Sequence, residues 1–383
     1  MSYIVFGKPQ IDREEINEVI DSLKTSWLGT GPKVKKFESE FAKYKKIGNA
    51  AALNSCTAGL HLSCLALNLK QGDEVITTAM TFCATVNSII HCGATPIFAD
   101  INPETWNIDP RSIEKKITKK TKAIIPVHFA GRACDMDAIM GLANKHNLYV
   151  IEDCAHAIET EYKGKKAGTI GDFGVFSFYA TKNITTGEGG MVISKSKNKI
   201  SKIKKLGLHG MSKDAWQRFS DEGYRHYDVE EAGYKYNMMD LQAAIGIHQL
   251  NKVEKFSKRR KKIWDHYSNE LSKIPITMHS EIEENTRHAY HLFILRINKK
   301  KCGINRDEFL KIMNQKEIGC GVHYRSITDY KFYKNKMTLD FSDLKNTIEF
   351  GSETVSIPLS PSMTDNEVNK VTDTVKDVIN GRY

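Results

Sequence analysis

Punctuation is what this sequence lacks. Proline is scarce, 9 of 383 residues, and no Pro-rich linker, low-complexity tract or internal repeat breaks the chain. Charged residues at 27% and hydrophobic ones at 40% exclude a disordered, collagen-like or membrane-embedded polypeptide. The eight cysteines (Cys56, Cys64, Cys83, Cys92, Cys134, Cys154, Cys302 and Cys320) form no C-x-x-C pair and no regular spacing. They are expected to be reduced thiols, mostly small core residues, and no metal site is expected. The opening MSYIVFGKPQ has no basic stretch followed by an apolar one, so a soluble, cytoplasmic protein is expected. Residues 75–99 carry no Lys, Arg, Asp or Glu, long enough to suggest a membrane span. Their Thr, Asn, His, Gly and Pro content divides them better into a strand and a buried helix.

What is present is alternation. Asp12 and Glu15 form a capping-box pattern, and Ile16, Val19, Ile20 and Leu23 recur at helical spacing. The loop SWLGTGP holds G-x-G without a third glycine or a preceding strand, so it is not a dinucleotide fingerprint. From residue 50 onward, AALNS, EVITTAM, TPIFADI, TKAIIPVHF, LYVIEDC, FGVFSFY and GGMVISK read as strands. GLHLSCLALN, TFCATVNSIIHCG and a stretch capped by Asp135 with Met136, Ile139, Met140 and Ala143 read as helices. That pattern predicts an α/β fold, a mostly parallel sheet between helices, with ligands beyond the carboxyl ends of its strands.

After Asn237 the pattern changes. Val253, Phe256, Ile263, Trp264, Tyr267 and Leu271 predict a long amphipathic helix with residues 258–262 on its exposed side. YHLFILRI and GCGVHY read as strands, NRDEFLKIMNQKEI as a helix, and DNEVNKVTDTVKDVI as a last helix with an Asp cap. The expected organisation is a large domain over residues 1–247, including the N-terminal segment, and a smaller α+β domain over 248–383.

Three features at strand ends carry chemistry. Asp153 closes the apolar run YVIED, where a carboxylate is costly unless a cation meets it. An isolated acid there is more often a cap; as a functional group it would keep a heterocyclic nitrogen protonated. Lys182, in SFYATKNITTGEGG, follows an aromatic strand and precedes Gly187, Gly189 and Gly190. Most lysines are solvated surface charges, but one held among aromatics suits Schiff-base chemistry. Ser177, five residues earlier, could bind an anion. The turn NSCTAGLHL opens a helix, whose free N–H groups make a phosphate seat. Phe82 in MTFCAT is either core or a ring that stacks on a cofactor. Acid, amine and phosphate seat together describe pyridoxal 5'-phosphate, and no other cofactor motif is present.

The motifs NSCTAGLHL, GDEVITTAMTF, GATPIFADI, IIPVHFAG, VIEDCAHA, SFYATKNITTGEGG and GYKYNMMDLQAAIG resemble, in order, those of the DegT-type sugar aminotransferases of fold type I. The likeness runs from about Pro9 to the C-terminus. HAYHLFILRI, CGINRD and GVHYRSI are most similar to aminotransferases that form UDP-4-amino-4-deoxy-L-arabinose.

The resemblance implies a seven-stranded sheet, Lys182 as the Schiff-base lysine and Asp153 as the partner of the pyridine nitrogen. It places His156 near the cofactor ring and its 3-hydroxyl, where many relatives carry Gln. Thr57 and Ala58 would bind phosphate through backbone N–H, Ser177 through its hydroxyl, and Phe82 would stack on the ring. Asn237 would reach the phosphate of a neighbouring subunit, making the sites a property of a homodimer. His323 and Glu188 would lie near the substrate.

The implied activity is transfer of an amino group from L-glutamate to a nucleotide-linked 4-keto sugar. Amination at C3 and a related sugar dehydratase are the enzyme alternatives; the dehydratases put His where Lys182 stands. The net charge of +10 and the basic stretches 115–122, 195–205 and 257–262 leave a nucleic-acid-binding regulator as a remote alternative. No nucleic acid and no membrane partner is expected.

Overall fold

The computed structural model describes residues 3–212, 226–337 and 339–382. Seven strands form the central sheet: β1 Asn49–Leu53, β2 Glu74–Thr78, β3 Thr95–Ala99, β4 Thr121–Ile125, β5 Tyr149–Asp153, β6 Phe173–Ser177 and β7 Gly190–Ser194. They are ordered β1-β7-β6-β5-β4-β2-β3. β7 runs antiparallel to both its neighbours, and every other adjacent pair is parallel. Runs such as AII and YVI lack polar alternation because both sheet faces are covered. Residues 75–99 contain no spanning element: among the described residues no helix is long and apolar enough to cross a membrane.

The helices that cover and flank this sheet are α1 Arg13–Lys24, α2 Pro32–Tyr44, α3 Cys56–Ala66, α4 Cys83–His91, α5 Met136–His146, α6 Lys197–Leu206 and α7 Asp240–Leu271. On one face, Leu60 and Leu62 of α3 and Ile203 of α6 pack on Ala51, Val175 and Val192. On the other, Phe37 and Phe41 of α2 and Ile247, Val253 and Phe256 of α7 pack on Ala50, Phe176 and Met191.

α7 then leaves the sheet. Its second half, Ile263, Trp264, Tyr267 and Leu271, belongs to a separate core. That core includes β8 Phe293–Arg296, β9 Thr354–Ile357, α8 Arg306–Gln315 and α9 Asp365–Ile379. One unbroken helix thus runs through residues 247 and 248. The N-terminal segment joins this second core too, through Ile4, which bridges Ile318.

Three expectations need correction, those for GCGVHY, the cap of α9 and Arg260. GCGVHY is not a strand; among its residues Gly321 makes a single bridge, to Ser356. The cap of α9 is Thr364, whose Oγ1 accepts from Glu367 N at 3.2 Å, and Asp365 is the first helical residue. The apolar stripe of α1 faces outward: Ile16, Ile20 and Leu23 are exposed. Glu15 is instead buried against α7, accepting from Lys252 and Gln249, each at 2.8 Å. Within the basic stretch on α7, Arg260 is buried. It lies one turn from both Phe256 and Trp264, so helical periodicity puts it on the buried face. Elsewhere the basic runs are engaged in ion pairs, among them Lys199 with Asp172 and Lys205 with Glu230 and Glu231.

Candidate active site

The parallel strands deliver their carboxyl ends to one side of the sheet, where a cavity of about 520 Å³ opens. It brings together Thr57, Phe82, Asp153, His156, Ser177, Lys182, Glu188 and His323. Two expected residues lie elsewhere. The Ala58 N–H is occupied by the capping hydroxyl of Ser55, at 3.1 Å. Asn237 is held outside the cavity, its Nδ2 donating to Thr30 Oγ1 at 2.6 Å, in a separate groove with Trp27 and Lys204.

Asp153 is the last residue of β5 and is buried. Its Oδ2 accepts from Thr85 Oγ1 at 2.8 Å and its Oδ1 from Ala155 N at 3.1 Å. Burial raises the carboxyl above its ordinary range, and the Thr85 and Ala155 donors and the Lys182 charge pull it back. Two donors leave lone pairs of the carboxylate unused on a group that lines the cavity. A buried acid in that condition favours a cation beside it.

The residue before it points to the opposite side of the strand. Glu152 accepts from Gly168, Ile170 and Gly171 N–H groups and from His128 Nε2. His128 Nδ1 in turn accepts from Cys134 N. His128, Glu152 and Cys154 are close enough to share an ion, but hydrogen bonds already saturate the carboxylate, and it serves as an internal brace.

Lys182 follows β6 in a turn closed by Lys182 N donating to Tyr179 O at 2.9 Å. Burial pushes its amine down to about 8, while Cys56 and Asp153 act in the other direction. An amine with that value is partly neutral near physiological pH, as a nucleophile and proton carrier must be. Ser177 ends β6, and Thr57 stands in the first turn of α3, where backbone N–H groups have no intrahelical partner. Phe82, the residue before α4, is 56% exposed, an apolar ring facing the cavity.

His156 is buried, with Nδ1 accepting from Ala130 N at 3.2 Å and Nε2 at 3.0 Å from Tyr324 Oη. Burial, with Lys182, His291 and His323 adding to it, holds this imidazole well below its ordinary value, so it is neutral. His291 packs on it with ring centroids 4.4 Å apart. His291 Nδ1 meets Asn183 Oδ1 at 2.8 Å, and Asn183 Nδ2 donates to Glu159 Oε2 at 2.7 Å and to Ala289 O at 2.8 Å. Glu159 is fully buried, 3.8 Å from Arg260 Nη1. The residue beside Lys182 is therefore tied to Glu159, Ala289, His291 and Arg260. Glu188 and His323 stand at the cavity wall, with His323 Nδ1 2.9 Å from Ser356 Oγ.

Sequence reasoning did not single out Thr85, Cys56, Tyr179 or Tyr324, all of which line the cavity. Two had a usable signal. Thr85 lies within one helical turn of Phe82, and Tyr324 is adjacent to His323.

The chain and its fold have counterparts among known proteins. The chain is similar to the spore coat polysaccharide biosynthesis protein SpsC of Bacillus subtilis, 45% identical over 380 residues, covering 99% of this chain and 98% of that one. Its structure is similar to the PLP-form of the putative sugar aminotransferase Spr1654 from Streptococcus pneumoniae, with a TM-score of 0.91, 32% identity and complete coverage of both chains. It is also similar to Helicobacter pylori PseC, an aminotransferase involved in the biosynthesis of pseudoaminic acid, with a TM-score of 0.91 and 27% identity, covering 99% of this chain and 100% of that one. Residues 9–376, which carry both the sheet and every residue of the cavity, match one family throughout, and the chain belongs to the DegT/DnrJ/EryC1/StrS aminotransferase family.

Proposed function

We propose that this aminotransferase moves the amino group of L-glutamate onto C4 of a nucleotide-linked 4-keto sugar, leaving 2-oxoglutarate. The observation that carries the reading is the meeting of Asp153, Lys182, Ser177, Thr57 and Phe82 around one cavity. The cofactor is pyridoxal 5'-phosphate, which aminotransferases of this family use. The donor set fits it: a buried acid with lone pairs to spare, an amine lowered to about 8, a helix start beside a serine, and an exposed ring.

When bound, pyridoxal 5'-phosphate supplies an aldehyde that condenses with amines and a ring that withdraws the electron pair left by a departing proton. Asp153 holds the ring nitrogen in its protonated state. The first turn of α3 and the Ser177 hydroxyl seat the phosphate, and Phe82 covers the ring. Lys182 Nζ holds the cofactor between turnovers. Once displaced, the same nitrogen takes the proton from the α-carbon of the donor and, in the second half of the cycle, delivers one to the sugar carbon that receives nitrogen. His156, neutral and with both ring nitrogens engaged, does not compete as a base. His323 and Glu188 face the sugar nucleotide.

The site is completed by a second copy of the chain. Asn237 lies outside its own cavity, and Ile16, Ile20, Leu23, Trp27 and Leu28 are exposed near the N-terminus, as suits a homodimer interface. Cytoplasmic sugar-nucleotide metabolism is the setting this chemistry fits.

The test is direct. Purified protein with pyridoxal 5'-phosphate and L-glutamate is offered UDP-, dTDP- and GDP-linked 3-keto and 4-keto sugars, and products are read by mass spectrometry. A 4-amino sugar nucleotide formed with equimolar 2-oxoglutarate is expected. A deoxy product without nitrogen, or protein that stays colourless with excess cofactor, overturns the reading.

A further inference from the structure

Hydrogen-bond accounting around His156 determines where one hydroxyl proton must go. Ala130 N–H can only donate, and it points at His156 Nδ1 across 3.2 Å. Nδ1 therefore carries a lone pair. In a neutral imidazole the hydrogen must then sit on Nε2. The partner of Nε2 is Tyr324 Oη at 3.0 Å, so the phenol oxygen accepts from the histidine. That leaves the Tyr324 O–H hydrogen, and among the described residues no acceptor takes it. The side chain lines the cavity that also holds Lys182.

The direction of this hydroxyl is well supported. Ala130 is fixed in a left-handed conformation, φ 56°, and its carbonyl accepts from His291 N at 3.2 Å and Leu292 N at 3.4 Å. His156 is backed by the His291 ring, which Asn183 and Glu159 hold in turn. The Tyr324 ring lies nearly parallel to His156, 21° between planes, and packs against Phe129 and Phe82 with centroids 6.2 and 5.8 Å away. A neutral donor locked in place before substrate arrives is what stabilises charge growing on an oxygen.

The geometry points to Tyr324 as a catalytic hydrogen-bond donor to the carbonyl oxygen of the keto substrate. The inference rests on the aminotransferase reading above and adds a residue that reading does not use. As an amine attacks the carbonyl carbon, the carbon–oxygen π pair moves to oxygen, and the Tyr324 O–H stabilises the negative charge that collects there. Both halves of the cycle involve a carbonyl at the same place, so both require it. His156 acts through Tyr324 and is a positioning residue.

Tyr324→Phe keeps the ring and removes the donor. The probe is 2-oxoglutarate, added to protein loaded with pyridoxamine 5'-phosphate, and the readout is single-turnover recovery of the visible band of cofactor joined to Lys182. Losing one preorganised donor predicts a rate about 100-fold below the unaltered protein. The visible spectrum and its pH titration without substrate are expected to be unchanged. A Tyr324→Phe rate within twofold of the unaltered protein overturns the role. A displaced pH titration overturns it too, by showing that the phenol acts on the cofactor. Unaltered protein that takes up cofactor but ignores 2-oxoglutarate removes the glutamate assignment and this inference with it. Unaltered protein that never develops the visible band with excess pyridoxal 5'-phosphate overturns the cofactor reading, and this inference falls with it.

Discussion

Thr85 Oγ1 donates to Asp153 Oδ2 across 2.8 Å, joining the first turn of the helix behind Phe82 to the end of the central strand β5. Thr81 Oγ1 lies 2.7 Å from Thr85 Oγ1 and completes a short relay to the acid. The hydroxyl is one of the few influences that favour the charged carboxylate against burial. Thr85→Val preserves shape and removes the donor. A hydrogen bond to a charged group is worth roughly 1.5–3 kcal/mol, so affinity for pyridoxal 5'-phosphate is expected to fall about tenfold or more. Absorbance titration of the apoprotein measures it, and unchanged affinity would separate Thr85 from the function of Asp153.

Lys182 and Asp153 lose different things when altered. Lys182→Ala removes the only amine lining the cavity among the described residues, so the visible band and turnover should both vanish. Asp153→Asn keeps the shape but loses the charge. A charge partner commonly shifts a pKa by roughly 1–3 units, up to about 4 kcal/mol, so turnover should drop by about 100-fold or more while some cofactor stays bound. The apoprotein adds a pH test. With the amine at about 8, reconstitution should accelerate as pH rises through that value, as the protonated amine cannot attack. Acceleration delayed until pH 10 would contradict the burial argument.

Part of this site was readable in the sequence. Asp153 and Ser177 end apolar runs, and a parallel sheet turns such ends toward one place, so YVIED and FGVFS announced both position and exposure to ligand. The order of strands was not readable from local pattern. β7 inserts between β1 and β6 although it follows both, a choice made by packing across the sheet. The His156 relay was hidden for a similar reason. Its partners are 26 and 168 residues away, and the tautomer depends on a single N–H in a left-handed turn. Arg260 was misplaced because a basic run suggests solvent, whereas the period of α7 sends one member of the run inward.

Buried neutral histidines make the protein sensitive to mild acid. Burial depresses His156, His288 and His291 well below their ordinary value. The unfolded chain binds protons at these positions below about pH 6.5 while the folded chain does not, so stability is lost as pH falls through that value. Each contributes a slope of up to about 1.4 kcal/mol per pH unit. Guanidinium midpoints of the apoprotein should therefore decline between pH 7 and 5, above the range where carboxylates titrate. In the same window, NMR should show these three rings still neutral. Protonation of any of them in the folded state near pH 6 would refute the assignment.

Asn237 supplies the test of shared sites. It is tied to Thr30 and Lys235, outside the cavity of its own chain, so a role in binding phosphate requires another copy. Asn237→Ala and Lys182→Ala proteins should then each be poorly active alone, for different reasons. In a mixed dimer the two lesions fall in one site, if Asn237 serves the partner, and leave the other intact. Random pairing of equal amounts makes half the dimers mixed, so activity should recover to about a quarter of the unaltered protein. Amine formation after co-expression of the two tagged chains gives the number, and sedimentation confirms pairing. If Asn237 acted within its own chain, each mixed dimer would carry one lesion per site and no recovery would occur.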